Sequence, residues 1–171
     1  MNIKLARLLC RFRNRKRTGK FRNGILTSAE RLLIILPEES RQATLCAEQI
    51  QGMLRGKKTE WICRKEFTSV LLPYLQGGEV ITYTDKDFTW YGAPKGELAT
   101  TLTKMTPDAI FDMNGVLTLI SCIIPSVFPE TLFAGMRSDR SEEGYFDFVL
   151  LYSDSNAPDL YKNFVNCLQT F

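Results

Sequence analysis

Carboxylates, an amide and one arginine recur along this chain, each set just behind a run of apolar residues: Glu38, Glu39 and Ser40, then Asp85 and Asp87, then Asp112, Asn114 and Gly115, then Arg137. An acidic pair beside a guanidinium is what acid/base chemistry would use. Asp and Asn behind strands also cap turns and helices without any chemistry, and no catalytic residue is assigned from the pattern. Histidine is absent, which removes His-based triads, His general bases and His-ligated zinc together. The sequence holds no G-x-G-x-x-G, Walker A loop, G-x-S-x-G or H-E-x-x-H. Ser40 and Ser138 have no partner base, and Asp108 with Asp112 is too small a set for a metal ion, so no metal or cofactor is expected. Glu38, Ser40, Asp87, Asp112, Asn114 and Arg137 stand as candidates for a ligand cleft.

The elements that must position them alternate. Asp108 to Met113 reads as a strand closed by Asn114-Gly115, Val116 to Phe128 as a helix apolar on every side, and Thr131 to Gly135 as a returning strand, the order of a βαβ crossover. Upstream, Leu32 to Leu36 suits a central strand buried on both faces. A helix from Glu39 to Leu54 follows and Gly56 ends it. Trp61 to Cys63 and Val80 to Tyr83 are further strands, with Phe67 to Leu75 a short helix or irregular connection between them. Glu97 to Met105 is a short helix. Met136 to Gly144 reads as a solvated charged loop, Tyr145 to Tyr152 as the last strand, and Asn156 as the cap of a final helix carrying Leu160, Phe164 and Leu168. The Trp90-Tyr91-Gly92 loop could stack on a base or ring, but is expected to anchor itself in the core. The fold class is α/β, a three-layer Rossmann-like domain with a mostly parallel sheet of about six strands. In such a sheet, ligands bind beyond the carboxyl ends of the strands at a topological switch point.

Charge is unevenly distributed. Residues 1–22 hold Lys4, Arg7, Arg11, Arg13, Arg15, Lys16, Arg17, Lys20 and Arg22 and no acidic residue, leaving 13 of the 22 basic residues against all 19 acidic ones, a net −6 for the rest. Met1 to Arg17 fits a basic amphipathic helix with Ile3, Leu5, Leu8, Leu9 and Phe12 on one side. It could lie on an anionic membrane, track the phosphates of RNA, DNA or the ribosome, or pack on the acidic body. Residues 1–28 are read as this tail and a linker from Thr18, and 29–171 as the α/β domain. The longest apolar run, near Val116 to Val127, is too short to span a bilayer and contains Pro125. Five cysteines without a C-x-x-C suit free thiols in a reducing cytoplasm, and a cytoplasmic protein, peripheral on the inner membrane if the tail inserts, is expected.

The order YTDKDFTWYGAPKGE, DAIFDMNG, TLFAGMRSD and YFDFVLLY resembles a family of short uncharacterised bacterial proteins, chiefly of the Bacteroidota, in which a K-D-x-x-W-x-G-x-P loop, here Lys86 to Pro94, precedes a strand-ending acidic residue. The resemblance covers Arg31 to Phe171. That domain is in turn similar to the N-terminal half of a heptosyltransferase-type glycosyltransferase. The similarity implies a Rossmann-like layer in a chain that ends where the donor-binding second domain of such an enzyme would begin. The expected function is therefore a non-catalytic binding or adaptor protein whose tail docks on a polyanionic surface and whose acidic body meets a protein partner. The alternative is a glycosyltransferase-like enzyme or half-enzyme binding a nucleotide-sugar.

Overall fold

The computed structural model describes residues 25–75, 77–138, 145–153 and 159–170. The elements are α1 (Ile25–Ser28), β1 (Arg31–Ile35), α2 (Ser40–Ile50), β2 (Lys58–Arg64), α3 (Thr68–Leu71), β3 (Glu79–Tyr83), α4 (Gly96–Lys104), β4 (Ala109–Asp112), α5 (Leu119–Val127), β5 (Leu132–Arg137), β6 (Phe148–Leu151) and α6 (Leu160–Thr170). Six strands form one sheet in the order β3-β2-β1-β4-β5-β6, and every neighbouring pair is parallel. This is the doubly wound arrangement, with its switch point between β1 and β4.

Strand β1 shows why the domain has three layers. Its side chains alternate in direction, and both directions are apolar. Leu32 and Ile34 join a core with Leu26 of α1, Ala43, Cys46, Ala47 and Ile50 of α2, Leu71 of α3 and Phe164, Val165 and Leu168 of α6. Leu33 and Ile35 face a second core built on Leu98 and Leu102 of α4 and Ile120, Ile123 and Ile124 of α5. Each fully buried side chain of this size contributes about 1.5–3 kcal/mol of transfer free energy, so the two faces share the stabilisation.

The expected βαβ unit is present, with β4 beside β5 in register Asp112 to Gly135. The helix begins later than the apolar run suggests because Thr118 caps it, its hydroxyl accepting from the Ser121 N–H at 3.3 Å; Val116 is left outside and exposed. Three expectations are corrected. Ile25–Ser28, taken as linker, is a turn of helix with Leu26 in the core. Met136 and Arg137, taken as solvated loop, extend β5 and are buried, because β6 pairs alongside them. Trp90 does not anchor its loop: it is 78% exposed, and Phe88 fills the core position instead. The tail and the Asn156 cap lie outside the described residues. Among the described residues no helix is long and apolar enough to cross a membrane.

Asp108 ties the front of the two central strands together, its carboxylate accepting the backbone N–H of Glu30 at 2.9 Å and of Arg31 at 2.8 Å. The Arg31 N–H contact first, against burial and with help from the Glu30 N–H and the charges of Arg31 and Lys57, holds its carboxyl below the usual value of 3.8. A depressed folded pKa gives stability that is present above the unfolded value and lost as the pH falls through the folded one. Asp108→Ala should therefore cost roughly 1 kcal/mol at pH 7, discounted for exposure. In urea titrations across pH, that difference should shrink as the medium drops below pH 3.8; a penalty of equal size in strong acid would refute the role.

Candidate functional site

Where β1 and β4 diverge, their carboxyl ends open a cleft of about 520 Å³, lined among others by Glu38, Glu39, Gln42, Asn114, Gly115, Ser138, Tyr152 and Tyr161. Cavities of this size hold small molecules. Asn114 stitches the two lips together. Its Oδ1 accepts the Glu38 N–H at 3.0 Å, and its Nδ2 donates to Asp112 Oδ1 at 2.8 Å and to the Leu36 carbonyl at 3.4 Å. Gly115 follows because the Tyr152 hydroxyl occupies the space where its Cβ would stand.

Beneath the floor, Arg137 Nη2 meets Asp112 Oδ2 at 2.6 Å, both side chains fully buried. The same guanidinium donates to the Asn114 carbonyl at 2.5 Å and to the Met136 carbonyl, and lies 4.1 Å from the centre of the Phe146 ring. Phe146 stacks in turn on Phe133 at 4.6 Å, a position open only because Gly135 has no side chain: a Cβ there would come within 2.5 Å of the Phe146 ring. The charges of Asp112 and Arg137 are thus spent on each other and on the backbone.

Glu38 is fixed from the far side. Tyr83, the last residue of β3, donates its hydroxyl to Glu38 Oε1 at 2.8 Å. Burial first, and then Glu38, push that phenol far up, so it remains a donor at any physiological pH. Arg64 approaches Glu38 at 3.8 Å and Asp85 at 3.2 Å. On the opposite wall, Tyr161 donates to Gln42 at 2.9 Å, while burial raises the Tyr152 hydroxyl against the pull of Arg137. Among the described residues, no lysine or arginine lines the cleft, and no group of three or more His, Cys, Asp and Glu could hold a metal ion.

Of the six cleft candidates, then, Glu38 and Asn114 line the cavity. Ser40 opens α2, its carbonyl taken by Thr44. Asp112 and Arg137 are sealed below. Asp87 stands apart, in a separate hollow beside β3 with Lys65, Glu79 and Glu97, where it completes a capping box with Thr84, accepting the Thr84 N–H at 2.7 Å. Lys4, Arg7, Arg11, Arg13, Arg15, Lys16, Arg17, Lys20 and Arg22 lie outside the described residues. Gln42, Tyr152 and Tyr161 are not among the candidates from the sequence, and Ser138 enters there only as a serine without a partner base. Their positions just behind strand ends or at a helix start were visible there, but their convergence was not.

Solved structures of the Escherichia coli heptosyltransferase WaaC share this fold. The structure with ADP superposes at a TM-score of 0.56 and 13% identity over 81% of this chain and 45% of that one. The structure with ADP-2-deoxy-2-fluoro heptose superposes at 0.56 and 12% identity over 80% and 48%. The likeness is one of fold. This chain spans about half the length of those enzymes. The heptosyltransferase-type architecture expected from the sequence is found at that level. No family model matches the chain, and no curated protein matches it either.

Removing one member of the buried pair strands a charge in the core. Asp112→Asn should destabilise the domain by about 3–5 kcal/mol. The double replacement Asp112→Leu with Arg137→Met should recover most of that loss. Urea midpoints of the three proteins measure this; a single substitution costing under about 1 kcal/mol would mean the pair carries no such penalty.

Proposed function

We propose that this chain is a carbohydrate-binding domain of glycosyltransferase-like fold, whose switch-point cleft takes a neutral or amine-bearing sugar and not a nucleoside diphosphate. The observation that carries this reading is the cleft's lining: two carboxylates, two amides, hydroxyls and two tyrosines, with no described cation. Sugar hydroxyls are donors that carboxylates and amides accept, and tyrosine rings offer flat apolar faces. A diphosphate has the opposite needs. The start of α2 would ordinarily attract a phosphate through its free N–H groups, but Glu38 and Glu39 stand immediately before it, and Arg137 is already neutralised by Asp112. Binding is the activity proposed, because Asp112 and Arg137 are fully buried against each other and Glu38 is already engaged by Tyr83 and Arg64.

Thermal shift measures the choice directly, since a ligand that binds only the folded form raises Tm with concentration. Glucosamine or N-acetylglucosamine should raise the Tm, ADP and UDP should not, and Glu38→Gln should weaken the sugar effect about tenfold, the value of one charged hydrogen bond. A nucleotide that stabilises the protein while sugars do not would overturn the reading.

A second reading concerns residues 1–22 and rests on their charge, nine cations and no anion ahead of a body of net −6. This segment is proposed to dock on a polyanion. Co-sedimentation with RNA should fall steeply between low and high salt, whereas flotation with anionic liposomes should partly persist through the apolar stripe. Equal binding of a protein lacking residues 1–22 would refute both.

A further inference from the structure

The chain has two tryptophans, and they are used in opposite ways. Trp61 is buried, whereas Trp90 is 78% exposed and Tyr91 46%. An indole left in water at the tip of a loop forgoes the burial that such rings ordinarily supply. The loop holding it is not slack. Thr84 and Asp87 form a capping box at its entrance, Phe88 is buried and bridges to Pro94, and Lys95 N–H donates to the Asp87 carbonyl at 2.9 Å. Thr89 N–H donates to the Ala93 carbonyl at 2.8 Å, the Thr89 hydroxyl accepts the Ala93 N–H at 2.9 Å, and Gly92 N–H donates to the Thr89 carbonyl at 3.0 Å. The tip rings are held perpendicular, 5.3 Å apart at 86°.

The loop leaves the carboxyl end of β3, on the same rim of the sheet as the cleft. A rigid path connects the two: the anchor Phe88 packs edge-on against Tyr83 at 5.8 Å, and Tyr83 bonds Glu38 of the cleft at 2.8 Å. With β2 lying between β3 and β1, the strands concerned are roughly 10 Å apart.

We infer that Trp90 and Tyr91 form an outer carbohydrate subsite, stacking on a sugar ring of the same oligosaccharide whose end sits in the switch-point cleft. Two observations and one general property of aromatic rings select this occupant. The exposed apolar surface of the loop is confined to two rings, far less than the roughly 800 Å² per partner of a stable protein interface. Charges around it balance, Glu79, Asp85, Asp87 and Glu97 against Arg64, Lys65, Lys86 and Lys95, and give no net attraction for phosphates of membrane or nucleic acid. An aromatic face with a negative quadrupole attracts the polarised C–H groups of a pyranose, and two rings pre-set by the loop lose little freedom on binding.

The inference rests on the cleft reading, and the test separates the two. Trp90 dominates acrylamide quenching of the intact chain because Trp61 is buried. Glucose, N-acetylglucosamine, cellotetraose, maltotetraose and chitotetraose serve as probes. At least one tetrasaccharide should protect Trp90 from the quencher and bind about tenfold tighter than its monosaccharide, one stacked ring's worth of affinity. Trp90→Ala should reduce that tetrasaccharide to the monosaccharide's affinity, leave the monosaccharide unchanged, and spare Tm, while Trp90→Phe keeps most of the gain. Tetrasaccharide binding unaffected by Trp90→Ala, with monosaccharide binding intact, overturns the outer subsite and leaves the cleft standing. If none of the five sugars binds, both fall. Protection of Trp90 by phosphatidylcholine vesicles and by no sugar would assign the rings to a membrane surface and overturn the inference as well.

Discussion

The contact between Asp112 and Arg137 governs much of what this domain can do. Both groups are fully buried, and withdrawing two ions from water costs several kcal/mol each, returned only when geometry and extra hydrogen bonds are good. Here the return comes from many sides: a 2.6 Å ion pair, two backbone carbonyls, the Asn114 amide and the Phe146 face. The pair joins the last residues of β4 and β5 at the carboxyl end of the sheet. It gives that end a fixed floor, and it neutralises the guanidinium that lies beneath the cleft.

The consequence is electrostatic. A switch point in a doubly wound sheet commonly offers helix N-termini and cations to phosphates. In this chain the corresponding place offers Glu38, Glu39, Gln42, Asn114 and tyrosines. Glu38 itself is held by Tyr83 and approached by Arg64, so its carboxylate is oriented before any ligand arrives. The fold is shared with a heptosyltransferase solved with ADP, while no lysine or arginine is among the described residues that line this cleft. A shared architecture does not by itself fix the chemistry of the site it carries.

Glycine placement and loop construction complete the rim. Gly115 makes room for the Tyr152 hydroxyl and Gly135 for the Phe146 ring, so two small residues bring two aromatic ones against the floor. Past β3, a short ladder of backbone bonds and one buried Phe88 hold Trp90 in the open. Rigid support beneath exposed side chains lowers the entropy they would lose in any contact.

The sequence by itself determined the class. Apolar runs short enough for strands, alternating with helical stretches, required a parallel sheet covered on both faces, because Leu32 to Ile35 has no polar side to give to water. It also located Glu38 and Asn114 behind their strands. What it could not settle was which residues meet. Arg137 looked solvated because it opens a run of charges, and only the pairing of β5 with β6 shows that it belongs to the sheet. Trp90 looked like an anchor because isolated tryptophans usually bury themselves, and only the Phe88 to Pro94 bridge shows that a neighbour had taken that place. Periodicity along a chain reports how each segment divides itself between core and solvent. Whether two charges twenty-five positions apart neutralise each other, as Asp112 and Arg137 do, depends on the register between strands, and that exists only once the sheet has formed.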